Sequence, residues 1–218
     1  MYDAQTIALF KGVSMTALSD AIDAITSRKL FISHQVRRFA GGRLVGPAVT
    51  LMTAPTAERA VHNVGIKLLD TAAPGSIIVA QLEGETDAAL WGAPEIAVAI
   101  RRGIAGFVGD GAIRSASQAD GSDFGIFATN VTPAGGFGRL KTMFCDQTIE
   151  CGGVEVNPGD LIVGDEDGVI AVPRKLVPDV AATVIRYEGR QAKLIEAGRE
   201  LGSIKEALAL HWTVEVQK

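Results

Sequence analysis

The chain has 218 residues, 47% hydrophobic and 21% charged, with 21 Lys+Arg against 25 Asp+Glu and a formal net charge of −4. This is ordinary globular composition, long enough for one substantial core or two small ones. The charge balance leaves no footprint for nucleic acid, and the basic pairs Arg37-Arg38 and Arg101-Arg102 are isolated. No apolar run approaches the length that spans a bilayer, and Met1-Tyr2-Asp3 opens no secretion signal, so a cytoplasmic protein without a membrane partner is expected.

In chain order, residues 4–11 and 17–27 read as two short helices. Gly12 breaks the first, and Ser14 or Thr16 caps the second, with Leu18, Ile22 and Ile25 on one face. Residues 45–53 alternate as a strand after Gly41-Gly42. Thr56 is placed to cap a helix over 57–70, where Ala60, Val64 and Leu68 recur at helical spacing. Pro74-Gly75 turns the chain into a β-branched strand over 76–82. Pro94 suits the first turn of the next helix, 95–102, which leads into an apolar strand over 104–108. Strand, helix and strand form a βαβ unit, expected parallel and right-handed.

Gly109-Asp110-Gly111 then makes a turn of the kind glycine reaches cheaply, and Arg114 follows where the chain leaves the sheet. In α/β sheets ligands bind at that end of the strands. A guanidinium there offers a fork of donors to a carboxylate or phosphate; a solvated loop arginine is the competing reading.

Beyond Arg114, residues 115–120 suggest a helical turn and 125–129 a strand. Residues 130–138 form a Gly-rich loop without the pattern of a phosphate-binding loop. Short strands are expected near 142–144, 148–150, 154–156, 161–163 and 169–172, an antiparallel region ended by Pro173. A long helix over 175–198, weakened at Gly189, and a short one over 203–210 complete the chain. Cys145 and Cys151, six steps apart in one extended stretch, read as reduced thiols. They lack zinc-ligand spacing, and His34, His62 and His211 are scattered.

Nine short motifs, in this order over nearly the whole chain, carry a resemblance. They are Ser19-Asp20-Ala21, Gly46-Pro47-Ala48, Ala73-Pro74-Gly75-Ser76, Ala89-Leu90-Trp91-Gly92, Gly103-Ile104-Ala105-Gly106, Asp110-Gly111-Ala112-Ile113-Arg114, Val131-Thr132-Pro133, Pro158-Gly159-Asp160-Leu161 and Asp165-Glu166-Asp167-Gly168-Val169. Their order resembles the RraA-like family, which includes the regulator of ribonuclease activity A and the 4-hydroxy-4-methyl-2-oxoglutarate aldolases. The resemblance implies an α/β fold: a swivelling β/β/α-like core with a βαβ unit, a β-rich second half and C-terminal helices. It implies one domain over 1–218, with the helices from about 175 as an appendage. It also implies a homotrimer or a hexamer of two trimers, with sites between subunits. Catalytic members are lyases that depend on a divalent cation (Mg or Mn). They cleave a 4-hydroxy-2-oxo acid to pyruvate, or decarboxylate oxaloacetate.

By resemblance Arg114 is the catalytic and substrate-binding arginine, with Gly92, Glu95 and Asp110 beside the small 2-oxo acid. The family's metal-ligating Asp falls at Ser115 and its acid/base carboxylate at Ala93. Pro94 withholds a backbone N–H that the family's helix start offers the substrate. A neutral hydroxyl is a poorer ligand than a carboxylate for a hard dication. Glu95, Asp110, Asp120 and Asp123 lie near in sequence as substitutes, and Glu196 or Glu200 of a neighbouring subunit is another source. Two functions follow: a pyruvate-aldolase-type lyase, or a non-catalytic member that binds a small acid or, like the regulator branch, a ribonuclease. No partner surface for a ribonuclease is visible in the residues.

Overall fold

The structure is a computed structural model that describes residues 2–59, 63–84 and 87–211. Helix α1 (Ala4–Gly12) begins at Asp3, whose carboxylate accepts from Thr6 N–H, and ends with Gly12 as its last residue. Helix α2 (Met15–Asp23) starts two residues earlier than the periodicity suggests, because Ser14 is the cap and accepts from Ala17 N–H. Strand β1 (Arg37–Ala40) has no counterpart in the sequence reading; its arginines are exposed, as suits an edge strand. Strand β2 (Leu44–Pro55) is longer than expected because its two halves pair with different partners.

Helix α3 (Asn63–Thr71) occupies the second half of the helix expected from Thr56. Residues 56–59 are not helical, and 60–62, including His62, lie outside the described residues. Strand β3 (Ile77–Leu82), helix α4 (Ala93–Arg101) and strand β4 (Gly106–Gly109) form the expected βαβ unit, with β3 and β4 adjacent and parallel. Strand β5 (Ala112–Ile113), a 3₁₀ turn (Ala116–Ala119), β6 (Gly125–Ala128) and β7 (Asn130–Val131) follow. The second half is antiparallel, as expected. It comprises β8 (Leu140–Cys145), β9 (Ile149–Cys151), β10 (Val154–Val156), β11 (Leu161–Asp165) and β12 (Gly168–Val172). Helix α5 (Val177–Leu201) runs unbroken through Gly189, and α6 (Ile204–His211) follows. Among the described residues no helix is long and apolar enough to cross a membrane.

The main sheet runs β1-β6-β4-β3-β2-β11-β12, with β8 also on β2. Strands β2, β3, β4 and β6 are parallel. Such strands are buried on both faces, and here alternate residues serve separate cores. Ile78 and Ala80 face Leu68, Ile96 and Ala99 of the covering helices. Ile77 and Val79 face Ile149, Val154 and Val156 of the β9–β10 hairpin. A third cluster joins α1, α2 and the first half of α5 to β11 and β12. The carboxyl ends of β3, β4 and β6 therefore emerge together, and the next residues of each strand form the site.

Candidate functional site

Three segments converge beyond those strand ends. Ala89 bridges to Ala112 and to Gly135, and Leu90 N–H donates to the Ala112 carbonyl at 2.7 Å. Strands β5 and β7 pair in parallel, with Ile113 opposite Val131. Arg114 N–H donates to the Trp91 carbonyl at 2.9 Å, and Thr132 N–H to the Ile113 carbonyl at 2.9 Å. Trp91 is itself locked by its ring, which stacks on Phe107 of β4 at 4.7 Å and lies 6.5 Å from Phe124. The backbone of Arg114 is thereby tied to the core on two sides.

The side chain of Arg114 runs between two glycines. A Cβ at Gly92 would lie 2.8 Å from Nε, and one at Gly135 would lie 2.7 Å from Nη1 and 2.9 Å from Cζ. Neither glycine has a left-handed φ, so the reason for glycine at both positions is space. Among the described residues the guanidinium has no acid or carbonyl partner within the chain. It faces a cleft of about 540 Å³ lined by Ala93, Pro94, Arg114, Ser115, Val131, Thr132 and Pro133. Ser115 adopts φ 59°, ψ 35°, a left-handed conformation unusual for a side-chain-bearing residue and recurrent at functional sites.

The other residues expected here divide. Gly92 is the N-cap of α4 and flanks Arg114. Glu95 turns back onto its own helix start, where its carboxylate accepts from Gly92 N–H at 3.1 Å. Pro94 brings no N–H to the start of α4, so an anion there meets one donor fewer than an ordinary helix start offers. Asp110 is not among the residues lining the Arg114 cleft. Its carboxylate accepts from Leu82 N–H at 2.6 Å and Gly152 N–H at 3.1 Å, tying β3 to the β9–β10 turn. Burial raises its carboxyl above the ordinary value of 3.8, and those two N–H groups pull it back. It borders a separate depression with Asp87, Thr129 and Asn130. Asp123 borders a third cavity, at the opposite end of the strands.

The donor set does not suit a divalent cation. Among the described residues the cleft lining contains one guanidinium and two hydroxyls, with no carboxylate, imidazole or thiol. Among the described residues no group of three or more His, Cys, Asp or Glu is arranged to hold a metal. Neither cysteine forms a disulfide, as expected. Burial pushes Cys145 up to about 11, and Cys151 is raised too, so neither is a ready thiolate.

The sequence singles out Arg114 but not the residues that surround it. Trp91 and Thr132 enter the sequence reading only as parts of motifs, and a loop over 130–138 without the phosphate-loop pattern gives by itself no reason to expect Gly135 beside Arg114. That loop supplies Thr132 and Gly135. The signal was present in Gly135-Gly136, since paired glycines in a loop mark a close approach as well as a turn.

The Aldolase/RraA family model matches residues 15–171. A Halalkalibacterium halodurans protein provisionally named 4-hydroxy-4-methyl-2-oxoglutarate aldolase is 36% identical over 172 residues, covering 77% of this chain and 76% of that one. The crystal structure of Streptomyces coelicolor RraAS2, described as an unusual member of the RNase ES inhibitor RraA protein family, superposes with a TM-score of 0.80. It is 26% identical, and the match covers 92% of this chain and all of that one. An uncharacterised Pseudomonas syringae protein superposes with a TM-score of 0.82 at 23% identity, over 94% of this chain and 97% of its own, a likeness of fold.

Proposed function

The chain belongs to the RraA-like family, and on that premise we propose that it is a lyase of the pyruvate-aldolase type whose Arg114 holds the carboxylate of a small 2-oxo acid. The observation that carries this reading is the guanidinium itself, set between Gly92 and Gly135, without an acid partner among the described residues, facing a cleft. A bound carboxylate takes two parallel N–H···O bonds from such a fork. Cleaving a 4-hydroxy-2-oxo acid, or decarboxylating oxaloacetate, leaves pyruvate as its enolate. Donors already aimed at the keto oxygen favour the transition state over the ground state. Ser115 and Thr132 are the donors beside Arg114. Among the described residues no carboxylate lines the cleft, so water takes the 4-hydroxyl proton as the C–C bond breaks and the second carbonyl compound leaves, and water returns a proton to the enolate; in decarboxylation CO2 leaves and only the second transfer is needed. The trimer implied by the resemblance belongs to the same reading.

A second reading is a small-acid binder without turnover, which the lack of an acid/base carboxylate among the described residues of the cleft favours. The interaction role of ribonuclease regulators is a further branch of it. Pyruvate release from oxaloacetate and from 4-hydroxy-4-methyl-2-oxoglutarate, followed by coupled reduction, decides between them. The lyase reading expects turnover above the solution background that falls at least 100-fold in Arg114→Ala. Background-level rates in the wild type, with oxalate still bound, establish the binder instead.

A further inference from the structure

We propose that the Arg114 cleft takes its ligand without a divalent cation, the guanidinium holding the carboxylate while the hydroxyls of Ser115 and Thr132 donate to the 2-oxo oxygen. This rests on the reading of Arg114 as the carboxylate anchor. It goes further by assigning the second recognition element of a 2-oxo acid to neutral donors on this chain.

Three observations lead there. First, among the described residues the one charged group in the lining is the Arg114 guanidinium. A dication at the cleft would face the guanidinium with no carboxylate to offset it, whereas oxygen ligands of hard cations are normally anionic in part. Second, the nearest carboxylates in sequence are engaged elsewhere: Glu95 on Gly92 N–H, Asp110 on Leu82 and Gly152 N–H. Third, both hydroxyls retain a proton to give. Thr132 Oγ1 accepts from Ala134 N–H at 3.3 Å, which leaves its O–H free to donate. Ser115 Oγ has no partner among the described residues, and the left-handed backbone at Ser115 follows directly on Arg114. Thr132 lies one position beyond the Ile113–Val131 register pair, level with Arg114 on the neighbouring strand. A 2-oxo acid has its carboxylate and keto oxygen on adjacent carbons, which a fork and a hydroxyl on adjacent positions match.

Calorimetric titration of the full chain with pyruvate, oxalate and acetate, in EDTA and again in magnesium, tests this. Pyruvate and oxalate should bind in EDTA with affinities within about twofold of those in magnesium, and binding should vanish in Arg114→Ala. Ser115→Ala and Thr132→Val should each weaken pyruvate about three- to tenfold, the span of one ordinary hydrogen bond. They should leave acetate, which has no keto oxygen, unchanged. Pyruvate binding that requires magnesium, or that magnesium strengthens tenfold, overturns the cation-free site while leaving Arg114 as anchor. Equal losses of acetate and pyruvate in the hydroxyl variants overturn the assignment of Ser115 and Thr132. An absence of binding in both buffers overturns the carboxylate reading itself.

Discussion

A methyl group at position 135 would stand 2.7 Å from Arg114 Nη1, inside the contact distance of non-bonded heavy atoms. The backbone there is not left-handed, so the cost of Gly135→Ala falls on the guanidinium rather than on the fold. We expect this variant to keep its unfolding midpoint and to bind oxalate about tenfold more weakly, roughly 1.4 kcal/mol. Titration alongside urea unfolding checks it. An unchanged affinity would mean that the anion is not held by the guanidinium in this position. Arg114 itself was legible in the sequence because a glycine turn after a buried strand places the next polar residue at a strand end. Its cradle was not legible, because a glycine that makes room for a side chain far along the chain leaves no local pattern. Ser115 shows the same limit from the other side: composition shows a hydroxyl, while its φ of 59° is set by the turn and the 3₁₀ segment it caps.

At the scale of elements, the segments that announced themselves were those with their own periodicity or caps. Ser14 illustrates how a cap acts at two levels. Its hydroxyl accepts from Ala17 N–H and donates to Glu188 of α5 at 2.8 Å, so one residue starts α2 and fastens it to a helix 174 positions away. Strands β1, β5 and β7 were missed because four- and two-residue strands owe their existence to partners, not to propensity. Gly189 is a weak point that lies, as the periodicity predicts, inside one long helix. Glycine weakens an isolated helix, yet α5 continues through it because Val180, Val184 and Ala197 are buried on either side. A Cβ at Gly189 would meet nothing within 4 Å. Gly189→Ala should therefore stabilise the protein by about 0.5–1 kcal/mol, the usual difference between the two residues inside a helix. The thermal midpoint should rise by a few degrees at most for a chain of this size. Differential scanning calorimetry gives the answer, and a fall in midpoint would show that the helix needs glycine there for a contact.

For the whole molecule, the parallel βαβ unit and the antiparallel second half were legible, because each rests on local alternation and on short connections, whereas the places of β2 and β6 in the sheet were not. The division of labour among the three cores was not, and it decides where the chain can be cut. The family match stops at residue 171, which invites removal of everything after the last strand. Yet Val177, Val180 and Val184 are 4%, 0% and 0% exposed, in the same cluster as Leu18, Leu161 and Val172. Burying one such side chain stabilises by roughly 1.5–3 kcal/mol, so three together are comparable with the 5–15 kcal/mol net stability of a typical protein. Helix α6 is different: Ala207 is buried, whereas Ile204 and Leu210 are 68% and 67% exposed. A chain ending at Val172 should lose its cooperative urea transition. One ending at Gly202 should keep both that transition and its affinity for oxalate, since no residue of α6 lines the Arg114 cleft. If the chain ending at Gly202 fails as well, the segment after Gly202 is required for folding of this core. If the shorter chain folds and binds oxalate, the third cluster adds little to the stability of the sheet that presents Arg114.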